Sequence, residues 1–276
     1  MYYLGTDIGS SAVKLAAADE KGNILTLRRF SAGVSGEQLE AEARKILAES
    51  GITAPPKHIC ITGAGSDIAE NCFKGIPHTC FEEFGCFGRG AVDLSGIDKA
   101  VIVSIGTGTA FVIADNKKYT HIGGSGVGGG TLSGLAELTV NITDRDTLNR
   151  LITEGNPAKV DLTMGDICKG TLGGLAADVT AANFGSRHIS HSPADIAAGL
   201  SNMIFQTAGV MAAFACKGTD ITNAVFVGST AELPGGKEML EAVGQLHSLT
   251  FTVPENGAYA GAIGAILWGI ERNTTK

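Results

Sequence analysis

Asp7-Ile-Gly-Ser-Ser11 sets a carboxylate just ahead of a glycine and two hydroxyls, with Lys14 three residues beyond. Gly106-Thr-Gly-Thr109 repeats the glycine and hydroxyl character further along the chain. Turns of this composition between strands can direct several N–H groups into one concavity, which suits an anion. An acidic residue beside a phosphate cradle is unfavourable unless a divalent cation lies between them. Asp7 therefore points to Mg²⁺, held through water because Mg²⁺ dehydrates reluctantly. Lys14 supplies a point charge for phosphate. Either turn alone reads as an ordinary hairpin. Together, with Asp7, they read as two phosphate loops: Gly9, Ser10 and Ser11, then Gly106, Thr107, Gly108 and Thr109.

A third stretch clusters glycine more densely. Between Gly123 and Gly130 six of eight residues are glycine, which costs conformational entropy on folding and needs a reason. Gly128, Gly129 and Gly130 run into Thr131-Leu-Ser-Gly-Leu-Ala-Glu-Leu138, a candidate helix. A helix N-terminus offers unpaired N–H groups and the positive end of a dipole. The stretch reads as a third phosphate loop that follows a turn; apolar, regular sequence close on both sides argues against a linker.

The elements that must hold these loops are legible in outline. Tyr2–Thr6, Ala12–Ala18 and Ile24–Phe30 read as a three-strand antiparallel meander, with Asp7–Ser11 as its first turn. Ser35 with Gln38 makes a capping box for a helix that Gly51 stops. A strand over Lys57–Thr62, a helix opened by Ser66 and a helix from about Glu82 to Leu94 follow. Val101–Ile105 and Ala110–Ala114 then repeat the opening hairpin, the footprint of a duplicated lobe. Further on come a helical region Asp195–Cys216, a strand Asn223–Val227, a helix from Gly235, a strand Leu249–Val253 and a helix Tyr259–Arg272. Gly257, Gly261 and Gly264 in that last segment would let another backbone or a flat ligand approach. Asn141 to Pro193 is the least regular part and reads as an insertion.

Composition narrows the class. The 276 residues are 44% hydrophobic and 18% charged, with a formal net charge of −7. That suits a well-buried globular chain and argues against general nucleic-acid or anionic-membrane binding. No stretch reaches the ~18 uninterrupted apolar residues of a spanning helix, and the start lacks a signal-peptide pattern; the expected location is the cytoplasm. Cys60, Cys72, Cys80, Cys86, Cys168 and Cys216 show no C-x-x-C pair or metal-ligand spacing, so they read as small core residues.

With its loops in this order, the chain resembles the ASKHA superfamily of acetate and sugar kinases, Hsp70 and actin. The resemblance implies an α/β fold of two ribonuclease-H-like lobes with mixed sheets and an ATP cleft between them. The lobes are expected at 1–97 and 98–276, with a helical insertion around 141–195. Val227-Gly-Ser-Thr230, with Gly228 and Ser229, looks like the adenosine side together with Glu255–Gly264. Within the superfamily the chain is most similar to type II pantothenate kinases, over nearly its whole length. Glu83-Phe84 soon after Pro77, Ser104–Thr109, Gly123–Leu135, Asp161–Ile167 and Ala181–Gly185 carry that similarity.

The resemblance implies ATP- and Mg²⁺-dependent phosphorylation of the primary hydroxyl of pantothenate, with Glu83 as general base and a homodimeric assembly. It places Thr107, His121 and Gly123 beside Glu83 at the substrate. Two positions depart from the family pattern. His121 stands where the family usually has Arg, and Ala110 where it often has Ser, so the ATP half matches while the substrate half is altered. The alternatives are another ASKHA kinase acting on an amino sugar or a pantothenoyl compound, an activator ATPase of the 2-hydroxyacyl-CoA dehydratase type with Cys168 and Cys216 as conceivable cluster ligands, and a nucleotide-dependent switch. From residues alone, the small-residue stripe Ala208, Gly209, Ala212 and Ala213 packs either against a partner or within its own lobe.

Overall fold

The computed structural model describes residues 1–69, 72–73, 75–168 and 176–274. The chain begins with β1 (Tyr2–Ile8), β2 (Ala12–Asp19) and β3 (Ile24–Ser31), then α1 (Gly36–Glu49), β4 (His58–Thr62) and β5 (His78–Cys80). These five strands form one sheet in the order β3-β2-β1-β4-β5, with the first three antiparallel and β4 and β5 parallel. α2 (Glu83–Ser95) leads to β6 (Ala100–Ile105), β7 (Thr109–Asp115) and β8 (Lys118–Ser125), then α3 (Gly129–Val140). After α4 (Arg145–Glu154), β9 (Leu162–Thr163), α5 (Met164–Ile167), β10 (Thr180–Ala182) and α6 (Pro193–Cys216) come β11 (Asn223–Val227), α7 (Gly236–Leu246), β12 (Thr250–Thr252) and α8 (Ala260–Thr274). The second sheet runs β12-β11-β6-β7-β8. Read from the other edge, it repeats the first: a three-strand meander continued by two parallel strands. The duplication legible in the two hairpins extends to whole sheets.

Strand alternation sends side chains to opposite faces and so builds layers. On the first sheet, Tyr2, Leu4, Val13, Leu15 and Ala17 meet Leu39, Ala43 and Leu47 of α1, while Tyr3, Ala16 and Ala18 face Ala262, Ile263 and Ile266 of α8. On the second sheet, Ile102, Val112 and Val225 face Phe87 and Ala91 of α2, while Val101, Val103, Phe111 and Phe226 meet α3, α4, α6 and α7. The two sheets therefore enclose α2 and α8 as a central layer. Glycines bring that layer together: a Cβ on Gly264 would fall on the Cys86 carbonyl oxygen, and one on Gly90 on that of Ala260. α8 follows β12 in the chain yet packs on the first sheet.

Several expectations need correcting. Asp7 and Ile8 lie inside β1, paired with Lys14 and Val13, so the first turn is only Gly9–Ser11. The helix expected from Ser66 is a four-residue 3-10 turn, Ser66–Ala69. The glycine stretch is not all loop: Gly123 and Gly124 belong to β8, and only Gly126–Gly128 separate that strand from α3. The segment from Asn141, expected to be the least regular and to carry a helical insertion, contains α4, whose N-cap Asp144 accepts from Thr147 N at 2.7 Å. The part of that segment over 169–175 lies outside the described residues. Ala208, Ala212 and Ala213 sit in the core, and Gly209 abuts Val243 of α7, so the small-residue stripe of α6 packs within its own lobe.

α6 is also the one helix among the described residues long and apolar enough to cross a membrane by length and composition, but most of it is buried. A buried polar knot fastens it. Asp161, 1% exposed, accepts from Asn202 Nδ2 at 2.7 Å and from Phe184 N at 2.8 Å, with Asn183 Nδ2 at 3.3 Å. Two of the stretches that resemble the kinase family thus tie the inserted segment to α6. Fully satisfied buried polar groups of this kind fix one arrangement rather than perform chemistry.

Candidate active site

A cleft of about 650 Å³ opens between the two sheets, lined from the first by Asp7, Gly9, Ser10, Ser11 and Lys14 and from the second by Gly106, Thr107, Gly108 and Thr109. Glu83, His121, Gly129, Gly130, Gly228 and Ser229 also line it. Gly123, Gly128 and Thr131 are not among the lining residues.

The two hairpin elbows meet across this cleft. Ser10 and Ser11 hydroxyls each lie 2.8 Å from Thr107 Oγ1. Behind the first elbow, the Asp7 carboxylate is 3.9 Å from Lys14 Nζ. It is walled by Gly63, where φ is +95°, and by Gly261: a Cβ at either would stand 2.7 or 2.8 Å from an Asp7 oxygen. Gly261, spaced as if for a backbone or ligand, instead makes room for this carboxylate. Burial raises the Asp7 carboxyl above its usual range, with Lys14 opposing. A carboxylate held this way favours a neighbouring cation.

The glycine-rich entry to α3 does a different task from the one expected. Gly129 N donates to Gly106 O at 2.8 Å and Gly130 N to Thr107 O at 2.9 Å, while Gly128 N reaches Thr131 Oγ1 at 3.2 Å. The Gly129 and Gly130 N–H groups are spent on the second elbow, so the helix start braces that loop, while that of Gly128 closes its own turn. The reason for glycine is close approach: a Cβ on Gly128 would stand 2.7 Å from Thr107 O. Thr131 Oγ1 donates to Gly126 O and closes the turn. The N–H groups of Gly128, Gly129 and Gly130, expected to face phosphate, are thus hydrogen-bonded within the protein, while Gly129 and Gly130 still line the cleft.

The start of α2 lines the same cleft. Glu82 caps the helix, its carboxylate accepting from Phe84 N at 2.8 Å and Gly85 N at 2.7 Å. Its neighbour Glu83 has no capping duty and lines the cleft. Glu83 is reachable from solvent, yet the walls around it desolvate it. Burial first, then the charge of Asp7, raises its carboxyl above the ordinary 4.5, with Lys14 opposing. A carboxylate poised nearer neutrality is a better proton acceptor. His121 stacks flat on Phe84, ring centroids 3.9 Å apart and planes within 4°. Register places it there: His121 pairs with Val112 on β7, just past a bulge at Phe111.

The third side comes from β11 and its turn. Gly228 has φ of +92°, and a Cβ there would strike the main chain of Ile105. Thr230 N donates to Ile105 O at 3.1 Å and Gly228 N to Gly257 O at 3.1 Å, so Val227–Thr230 is stitched between the second elbow and the lead-in to α8. Arg145, at the start of α4, lines the same wall and donates to Ser229 O at 3.0 Å. Burial, then the charge of Arg29, pulls its guanidinium below its usual value. The sequence reading missed Arg145, although the cap signal of Asp144 one residue earlier was readable.

None of the six cysteines forms a disulfide, and four are buried. Burial pushes Cys60 and Cys86 up to about 12, which keeps both as inert thiols. Among the described residues no group of three or more His, Cys, Asp or Glu converges to hold a metal directly.

Comparison with known proteins bears on this site. The model of the Fumble family matches residues 99–267. A type II pantothenate kinase from Staphylococcus haemolyticus is 32% identical, covering 75% of this chain and 82% of its own. One from Bacillus cereus is 28% identical, covering 96% of this chain and 97% of its own. Among solved structures, the activator of the 2-hydroxyisocaproyl-CoA dehydratase from Clostridium difficile with bound ADPNP superposes with a TM-score of 0.69 at 18% identity, covering 100% of this chain and 96% of that one. That likeness shows the fold: α/β, with two ribonuclease-H-like lobes built on mixed sheets.

Proposed function

We propose that this chain, which belongs to the Fumble family, uses ATP to phosphorylate the primary hydroxyl of pantothenate, the first step towards coenzyme A. The observation that carries this reading is the position of Glu83. Glu82 caps α2, which leaves Glu83 unengaged in the same cleft as the two hydroxyl-bridged elbows. In the proposed reaction the acceptor hydroxyl attacks the γ-phosphorus while Glu83 takes its proton. The bond from the γ-phosphorus to the β,γ-bridging oxygen breaks, and ADP leaves. A positioned base contributes roughly 10²–10⁴ in rate; the rest comes from alignment and charge neutralisation of the phosphoryl group.

The elbows and Lys14 would hold the phosphates, and Val227–Thr230 with Arg145 the adenosine side. Asp7 fits Mg²⁺: a desolvated carboxylate that lines the same cleft as the Ser10 and Ser11 hydroxyls offers the hard oxygen donor the ion prefers. The ion would neutralise phosphate oxygens through its water shell. The proposed assembly is a cytoplasmic homodimer without nucleic-acid or membrane partners, using a face other than the small-residue stripe of α6.

ADP release coupled to an indicator reaction tests this reading. Mg²⁺-dependent turnover stimulated by pantothenate is expected; stimulation by an amino sugar in its place, or turnover indifferent to any acceptor, contradicts it. A second outcome concerns Arg145. Losing a charged hydrogen-bond donor costs about 1.5–3 kcal/mol, so Arg145→Ala is expected to raise the KM for ATP about tenfold or more with a smaller change in kcat.

A further inference from the structure

A second hollow, of about 940 Å³, lies against the first turn of α2. The cleft takes Glu83 and Phe84 from that turn, whereas this hollow takes Glu82 and Gly85. Helical spacing sends the two pairs to opposite sides. Phe81, Tyr119 and Trp268 supply aromatic wall, each only partly buried. Tyr119 and Trp268 meet edge to face with ring centroids 6.0 Å apart, and Trp268 Nε1 donates to Gly85 O at 3.4 Å. Lys117 and Lys118, from the turn between β7 and β8, line the same hollow with Arg272 of α8.

The charges there are unequally engaged. Glu82 and Glu271 also line the hollow, but Glu82 caps α2 and Glu271 accepts from Arg89 Nη2 at 2.8 Å. The exposed side chains of Lys117, Lys118 and Arg272 have no hydrogen-bond or ion-pair partner among the described residues. The carboxylates are spent inside the protein and the cations are not. We infer that this hollow is a binding site for a small organic anion with a flat ring, the ring against Phe81, Tyr119 and Trp268 and the charge met by Lys117, Lys118 and Arg272. Partly exposed aromatic rings gain by stacking or edge contact with another ring, and free cations add an attraction that salt screens. A neutral ring forgoes the second gain and a bare anion the first. The site does not depend on the reaction proposed above.

Trp268 is the chain's single tryptophan, so protein labelled with 5-fluorotryptophan gives one fluorine NMR resonance, and it reports on this hollow. Naphthalene-1-sulfonate is expected to shift that resonance saturably, and added salt to weaken the binding. The neutral 1-naphthalenemethanol is expected to bind about tenfold more weakly, and methanesulfonate to leave the resonance in place. Combining Lys117→Gln, Lys118→Gln and Arg272→Gln removes three exposed charges and is expected to weaken the sulfonate about tenfold or more, with the alcohol unaffected. A resonance unmoved by the sulfonate, an alcohol that binds as tightly, or a triple variant that keeps the sulfonate or loses both compounds alike overturns the inference. None of these results touches the kinase reading.

Discussion

Glu83→Gln is expected to lower kcat by roughly 10²–10⁴, the worth of a positioned general base, while the affinity for ATP stays close to wild type. The substitution keeps the size of the side chain and removes its negative charge together with its capacity to accept a proton. Because Glu82 and not Glu83 caps α2, the fold gives no reason for the helix to fray in the variant. The pH profile gives an independent reading. A base must be ionised, so the rate falls as pH drops through its pKa. Burial and the Asp7 charge raise that pKa, so the acidic limb of kcat/KM in wild type is expected above the ordinary 4.5. The same limb should be absent from residual Glu83→Gln activity. A Glu83→Gln enzyme with wild-type kcat would mean that another group takes the proton.

Gly264→Ala carries the largest expected effect on stability. The added methyl would overlap the Cys86 carbonyl oxygen, which is backbone and cannot rotate aside. Relief requires α8 to move from α2, and the reciprocal approach of Gly90 to Ala260 resists that motion. Separation would also open the two apolar clusters on either side of the helix pair. Overpacking a well-filled core costs about 1–3 kcal/mol, occasionally more, and this site belongs at the upper end. A loss of about 3 kcal/mol lowers the midpoint of thermal unfolding by about 6–12 °C. Gly134→Ala serves as the control. It lies within α3 with no atom within 4 Å of the added methyl, so helix propensity alone applies and a slight gain is expected. Equal melting temperatures for the two variants would contradict the tight α2–α8 crossing.

Much of the fold could be read because its signals are local. Gly9–Ser11 and Gly106–Thr109 mark their hairpins by turn chemistry, and Ser35 with Gln38 forms the capping box that the spacing predicts. The misses share a cause in contacts distant along the chain. Glycines are depleted in strands, so Gly123–Ser125 looked like loop. Yet a Cβ on Gly124 would stand 2.8 Å from Thr109 O, so close strand approach, not flexibility, calls for glycine there. The same applies to Gly128–Gly130: Gly129 and Gly130 donate to carbonyls of a turn more than twenty residues earlier, and a Cβ on Gly128 would crowd one of those carbonyls. The packing of α8 on the first sheet leaves no local mark at all. In the site, Asp7, Lys14 and both elbows were legible from residue type, whereas Arg145 was hidden in sequence that lacked an evident pattern. That Glu83, Phe84 and His121 share one corner depends on the register of β8 against β7.

In the proposed reaction one nucleotide spans both elbows, with its terminal phosphate facing the acid at the start of α2. A crystal structure with a non-hydrolysable ATP analogue, Mg²⁺ and pantothenate tests this most directly. Triphosphate contacts to Gly9–Ser11 and Gly106–Thr109 are expected, with a Glu83 oxygen within about 3 Å of the acceptor hydroxyl. Triphosphate bound away from either elbow, or an acceptor hydroxyl out of reach of Glu83, would contradict it.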